Sequence, residues 1–223
     1  MDLPGNPADL LEEDLSNLRF LNRALGGCRC VLGCLERLAD GKESGGFSLL
    51  DVGTGSGDIP IAIVRWAKGR GVPVRIVALE PDPITVAVAR RLTGDIPEIS
   101  VVRGDARHPP FCPASFDFVL SSQLLHHFSE REIVLLLRRW SSLARRALLV
   151  SDLVRHPLAY FGIRLLTLIF ARNEMTRIDA PLSVRRALTL DEWRGLFAQA
   201  AIGEFRLFSF FPFRLFAYFP LRG

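Results

Sequence analysis

Lysine is almost absent from this sequence. Only Lys42 and Lys68 occur, and every other positive charge is an arginine. The arginines are scattered, at most paired as in Arg138-Arg139, Arg145-Arg146 and Arg185-Arg186. No run of five or more like charges appears, which disfavours nucleic acid as a partner through a dedicated basic arm. The net charge of +4 is mild and compatible with an anionic substrate or a membrane surface. Long apolar runs are also missing. The longest, "HPLAYFGIRLLTLIFAR", has about fifteen residues and carries Arg164, short of the ~20 that a spanning helix needs. The acidic start "MDLPGNPADLLEEDL" lacks the basic and apolar regions of a signal peptide. A cytoplasmic location is expected, with peripheral membrane contact still open. Cysteine is sparse: Cys28, Cys30 and Cys34 cluster, and Cys112 stands alone. A zinc site needs a second pair or nearby histidines, and neither follows in sequence, so no metal is expected.

What is present suits one globular unit. The chain has 223 residues, 49% hydrophobic and 23% charged, enough for a large core without wholesale disorder. A single domain over 1–223 is expected, in four parts: a helical cap (1–45), a core (46–153), an inserted helical lid (154–188), and a last helix with a closing hairpin (189–223). Residues 7–24 carry Leu10, Leu11, Leu15, Leu18 and Leu21 at helical spacing, with Leu25 just beyond and Gly26-Gly27 as the stop. A second helix is predicted over 28–39.

Strands and helices then alternate. Strands are predicted at 48–52, 74–80, 99–105, 116–122 and 146–153. Helices are predicted at 58–69, 83–94 and 131–144. This alternation implies an α/β fold, a Rossmann-like, doubly wound parallel sheet covered on both faces. The pattern changes after the fifth strand. An apolar helix is predicted over 155–172, too apolar to lie bare in water, and is read as a lid. Another follows over 189–201, with Thr189 as N-cap and Glu192 as its capping-box partner. "EFRLFSF" and "FRLFAYF" flank Phe211-Pro212 and read as an antiparallel hairpin, which makes a mostly parallel sheet of seven strands.

The chemistry-bearing stretch is "LLDVGTGSGDIP", Leu49 to Pro60. A triphosphate loop would need Lys after its last glycine, whereas Gly57 is followed by Asp58. A dinucleotide fingerprint needs its third glycine one residue later than Gly57. Asp58 then sits where a pyrophosphate wants a helix N-terminus, and Asp51 adds a second acid. A ligand that is partly cationic fits better. Backbone N–H groups of the turn can hold a carboxylate, while acids and carbonyls hold an ammonium. Glu80 ends the second strand, where a carboxylate can accept from ribose hydroxyls. Asp105, in Gly104-Asp105-Ala106 after the third strand, can accept from an adenine amino group.

These motifs together resemble the class I S-adenosylmethionine-dependent methyltransferases. The matching segments are "LLDVGTGSGD", "VALEPD", "VVRGDA" and "FDFVLSSQLLHHF", in the family's order. Within the class the chain is similar to the branch of ubiquinone, menaquinone and small-molecule methyltransferases, in which "LHH" after the fourth strand is common. The resemblance implies S-adenosylmethionine as cofactor. It would be held by Asp51, Gly53, Thr54, Gly55, Ser56, Gly57, Asp58, Glu80, Pro81, Gly104, Asp105, Ala106, Ser121, Ser122 and Gln123. His126 and His127 fall at the carboxyl edge of the sheet, where ligands of open α/β sheets bind. Either can be a catalytic base, a pocket wall or a packing residue. Arg23, Tyr160, Arg185 and Arg186 are candidate substrate contacts, the last two in a segment expected to loop over the substrate. Asp82 is read as a helix cap ahead of Pro83.

Methyl transfer to a small, largely apolar or aromatic acceptor is expected, with an oxygen of a phenolic or polyketide-like compound ahead of a carbon of a quinone precursor. A non-catalytic cofactor-binding protein is the rival from another class. The sequence says nothing of oligomeric state.

Overall fold

The computed structural model describes residues 15–17, 19, 22, 25–39, 45–170 and 174–221. Most of the helix expected over 7–24 lies outside these residues. Those described within it, among them Leu15, Asn17, Arg19 and Asn22, are helical. Helix α1 runs Gly27–Ala39. The alternating core follows as β1 Phe47–Val52, α2 Asp58–Lys68, β2 Val74–Glu80, α3 Pro83–Thr93, β3 Ile99–Arg103 and β4 Phe116–Ser122. After β4 come a short 3-10 turn, Leu125–His127, then α4 Glu130–Leu143 and β5 Ala144–Leu153. The chain closes with α5 Pro157–Phe170, α6 Glu174–Arg186, α7 Leu190–Ala200, β6 Arg206–Phe210 and β7 Arg214–Pro220.

The sheet has seven strands in the order β3-β2-β1-β4-β5-β7-β6. Only β7 runs against the rest, antiparallel to both β5 and β6. Strand order reverses between β1 and β4, which opens a crevice at the carboxyl edge of those strands.

Both faces of the sheet are buried, which is why its central strands read as continuous apolar runs. One face places Leu50, Val119, Leu148 and Val150 against Trp140 of α4 and Trp193 and Phe197 of α7. The opposite face places Leu49, Ile76, Leu120 and Leu149 against Val31 and Leu35 of α1 and Ile63 of α2. Each such side chain, fully buried, contributes roughly 1.5–3 kcal/mol relative to exposure. Leu15 packs on Val88 of α3, with Ile84 and Leu92 alongside, so the N-terminal segment lies over that helix.

Helix ends follow local chemistry. Asp82 accepts from Thr85 N–H at 2.7 Å and caps α3, with Pro83 in its first turn. Thr189 and Glu192 form the expected capping box of α7, and Ser129 with Glu132 forms another at α4.

One expectation is corrected. The segment holding Arg185 and Arg186 is not a loop but the end of helix α6, which continues through Pro181. Its pattern is poorly amphipathic and carries an internal proline, so local rules argue against it. Packing overrides them: Ala180 and Val184 bury against Ile163 of α5, with Tyr160 and Leu166 around them. Helices α5 and α6 therefore form a helical hairpin over the carboxyl edge. Asn17 donates to Thr176 Oγ1 at 3.1 Å and ties the N-terminal segment to it. The outer side of α5 carries Phe161, Leu165, Leu168 and Ile169, each more than half exposed. These positions recur at helical spacing and form one apolar stripe. No helix among the described residues is long and apolar enough to cross a membrane.

Candidate functional site

The site is built from the ends of parallel strands. After β1, Gly53 and Gly55 adopt φ of +72° and +56°, a region that favours glycine. Gly53 N and Thr54 N both donate to the Leu79 carbonyl at 2.9 and 3.0 Å, which folds the turn onto β2. A Cβ at Gly53 would meet Leu124 Cδ2 at 2.7 Å, whereas one at Gly55 would meet nothing within 4 Å. Gly55 therefore faces open space, and a ligand can approach its backbone closely. Gly55 N donates to Glu80 Oε2 at 3.0 Å, so the glycine turn and the end of β2 are joined by a carboxylate.

Charges at this edge are tightly placed. Asp51 is 2% exposed. Burial pushes its carboxyl pKa up to about 7; the Thr54 hydroxyl works against the shift, and the negative charges of Asp58 and Glu80 add to it. Glu80 is raised as well, first by burial, with the N–H groups of Gly55 and Asp82 opposing. A cationic group entering here would favour both ionised carboxylates.

Separate segments meet through a polar chain. Gln123 Nε2 donates to Asn22 Oδ1 at 2.6 Å, and Asn22 Nδ2 donates to Asp58 Oδ2 at 2.7 Å. Gln123 has φ of +54°, a strained backbone of the kind that clusters at functional sites. Gly27 allows this arrangement, since a Cβ there would lie 1.6 Å from Asn22 Oδ1.

His126 is 5% exposed and its Nδ1 lies 2.7 Å from Asp152 Oδ1. Asp152 also accepts from Leu125 N at 3.0 Å and Leu153 N at 2.7 Å. A carboxylate fixed by two backbone donors takes the Nδ1–H hydrogen bond and leaves Nε2 with its lone pair free. His126 Nε2 is buried and meets no hydrogen-bond partner among the described residues. The same holds for the hydroxyls of Ser121 and Ser122. The His127 ring packs on His126 with centroids 4.3 Å apart.

Several of these groups line a cavity of about 390 Å³. Of the residues singled out from the sequence, Asp51, Gly53, Thr54, Gly55, Ser56, Asp58, Ser122, Gln123, His126, His127 and Arg186 line it. Gly57, Glu80, Pro81, Gly104, Asp105, Ala106 and Ser121 are outside its lining, along the β1–β4 ends. Asp105 is exposed, with Oδ1 accepting from Arg107 N at 2.8 Å. Arg185 and Tyr160 also stand outside, and Tyr160 packs in the α5–α6 cluster. Arg23 lies outside the described residues. The far wall is apolar, from Leu158, Ile163, Leu166, Val184 and Phe213. Among the described residues no group of three or more His, Cys, Asp or Glu side chains could hold a metal ion.

Asn22, Asp152 and Arg214 are among the lining or supporting residues that escaped the sequence reading. Asp152 had a usable signal, an acid closing the apolar run "ALLVSDL" as Asp51 closes its own. Asn22 and Arg214 had none, because their partners are distant in sequence.

Residues 49–147 match the family model described as a methyltransferase domain. No curated protein matches the sequence. Among solved structures, the chain is similar to the CMeT domain of the citrinin polyketide synthase, at 15% identity and a TM-score of 0.66. That match covers 87% of this chain but 52% of the other, so the chain spans about half its length. It is similar to an S-adenosylmethionine-dependent methyltransferase from Aquifex aeolicus, at 16% identity and a TM-score of 0.65, covering 93% of this chain and 98% of that one. It is similar also to magnesium protoporphyrin IX methyltransferase from Synechocystis with bound S-adenosylhomocysteine, at 16% identity and a TM-score of 0.59, covering 90% and 83%. At such identities the likeness is one of fold.

Proposed function

We propose that this chain, whose residues 49–147 match a methyltransferase domain, is a class I S-adenosylmethionine-dependent methyltransferase that methylates an acidic oxygen of a small, largely apolar acceptor. The observation that carries this reading is the buried His126–Asp152 pair: His126 lines the cavity, and its buried Nε2 meets no partner among the described residues.

The residues present fit the cofactor. Gly55 leaves the open cradle that a Cβ would begin to fill, and Asp51 and Glu80 are buried carboxylates that a cation relieves. In this reading the Gly53–Gly57 turn receives the amino-acid end of S-adenosylmethionine, with Asp51 serving its ammonium. Glu80 serves the ribose hydroxyls, and Asp105 the adenine. When bound, the cofactor supplies a methyl group already activated by a sulfonium.

The protein then positions the acceptor, excludes water and accepts a proton. The apolar wall from α5 and α6 holds the acceptor's body. A phenolic hydroxyl has a pKa near ~10, so its attack is helped by a base at hydrogen-bond reach. His126 Nε2 takes that proton, and Asp152 holds the ring and stabilises the imidazolium that forms. A carbon acceptor would use the same base on an acidic C–H, and nuclear magnetic resonance of the product separates the two outcomes.

The test is His126→Gln, assayed by release of S-adenosylhomocysteine with phenolic acceptors. We expect kcat to fall by ~10²–10⁴ while S-adenosylhomocysteine affinity holds. Full activity in this variant would remove the histidine from the chemistry.

A further inference from the structure

Arg214 is the first residue of β7 and pairs with Leu153, one residue past Asp152. It is 3% exposed and lines the same cavity as His126. Its Nε donates to the Leu25 carbonyl at 2.9 Å. Its Nη1 is buried and meets no hydrogen-bond partner among the described residues. The carboxylates nearest in charge, Asp152 and Asp58, are turned to other donors: Asp152 to Leu125, Leu153 and His126, and Asp58 to Asn22. A buried guanidinium N–H left unmet is costly, and native structures retain such groups where a ligand completes them.

We propose that Arg214 is the anion subsite of the acceptor pocket, and that the acceptor is an apolar acid whose carboxylate or equivalent oxyanion it binds. The inference rests on the methyl-transfer reading and narrows its substrate class. The planar fork of Arg suits a carboxylate better than a point charge does. Leu153, Ile163, Val184 and Phe213 provide apolar surface beside it for the rest of the molecule. His126 lines the same cavity, and in this proposal a second, reacting oxygen of the acid lies toward it. The donor's own carboxylate is the competing anion. Arg214→Gln separates the two anions, since only a guanidinium that serves the acceptor can be lost without loss of S-adenosylhomocysteine affinity.

The experiment uses naphthoate and decanoate, each beside its methyl ester, titrated into the full chain saturated with S-adenosylhomocysteine. At least one acid should bind about tenfold or more tightly than its ester, the value of one charged hydrogen bond. Arg214→Gln should erase that preference and leave S-adenosylhomocysteine affinity unchanged, and Arg214→Lys should restore part of it. Acids that bind no better than esters, or not at all, overturn the proposal. So does an Arg214→Gln protein that keeps the preference, which would make Arg214 a packing residue. So does a loss of S-adenosylhomocysteine binding in folded Arg214→Gln, which would assign the guanidinium to the donor. The wild-type ratio stands as a test by itself if the Gln variant does not fold. Wild-type protein that fails to bind S-adenosylhomocysteine refutes the methyl-transfer reading instead.

Discussion

The proposed role of Asp51 beside the cofactor's ammonium predicts that cofactor binding depends on pH, and the size of the effect can be worked out. Its carboxyl is buried at the end of β1, and its pKa stands at about 7, raised first by burial. The ligand-free protein therefore binds a proton there through the range in which an ordinary carboxylate is ionised. For stability, a raised pKa in the folded state means the contribution is complete below the unfolded value near ~3.9 and is lost as pH rises through about 7. A shift of about three units corresponds to ~4 kcal/mol between those limits. Binding runs the other way. An ammonium favours the ionised carboxylate, so the ligand must displace the proton wherever one is bound. At about pH 6 roughly nine-tenths of Asp51 is protonated, and affinity falls about tenfold relative to pH 8, or ~1.4 kcal/mol. The assay is calorimetric titration with S-adenosylhomocysteine at both pH values, in two buffers of different ionisation enthalpy. Near one proton should be released per ligand at the lower pH and almost none at the higher. Asp51→Asn should bind with no such dependence. Equal affinity and buffer-independent heats at both pH values would refute the reasoning, as would an Asn variant with the wild-type slope.

Two further expectations follow from geometry. Gly55→Arg meets no atom within 4 Å at its Cβ, so the fold should persist apart from the strain of φ +56°. The side chain should occupy the cradle and abolish S-adenosylhomocysteine binding, read by calorimetry on a protein whose circular dichroism is unchanged. Thr189→Ala removes one half of the α7 capping box. It should cost about 1 kcal/mol and lower Tm by roughly 2–4 °C without altering ligand affinity.

The readable parts of the site share one property: each residue sits at a fixed offset from a strand end. Asp51 and the glycines follow β1, Glu80 closes β2, and the two histidines follow β4. Strand periodicity locates those ends, and topology then brings them to one edge. Asp152 obeys the same rule and could have been read from its place at the end of β5. Asn22 and Arg214 obey no such rule. Asn22 joins Gln123 and Asp58, residues 101 and 36 positions away, and Arg214 meets Leu25 across 189. Helix α6 was unreadable for a different reason. Its proline and weak pattern argue for a loop, and only burial of Ala180 and Val184 against α5 makes the helix the better solution.

The sequence by itself determined the sheet, its hairpin and the glycine turn with its acids, because hydrophobic period, caps and turn chemistry are local. Tertiary structure alone decided which tautomer Asp152 imposes on His126, which guanidinium nitrogen is left without a partner among the described residues, and which helices roof the cavity. Those depend on contacts between segments far apart in the chain, and no local pattern encodes them.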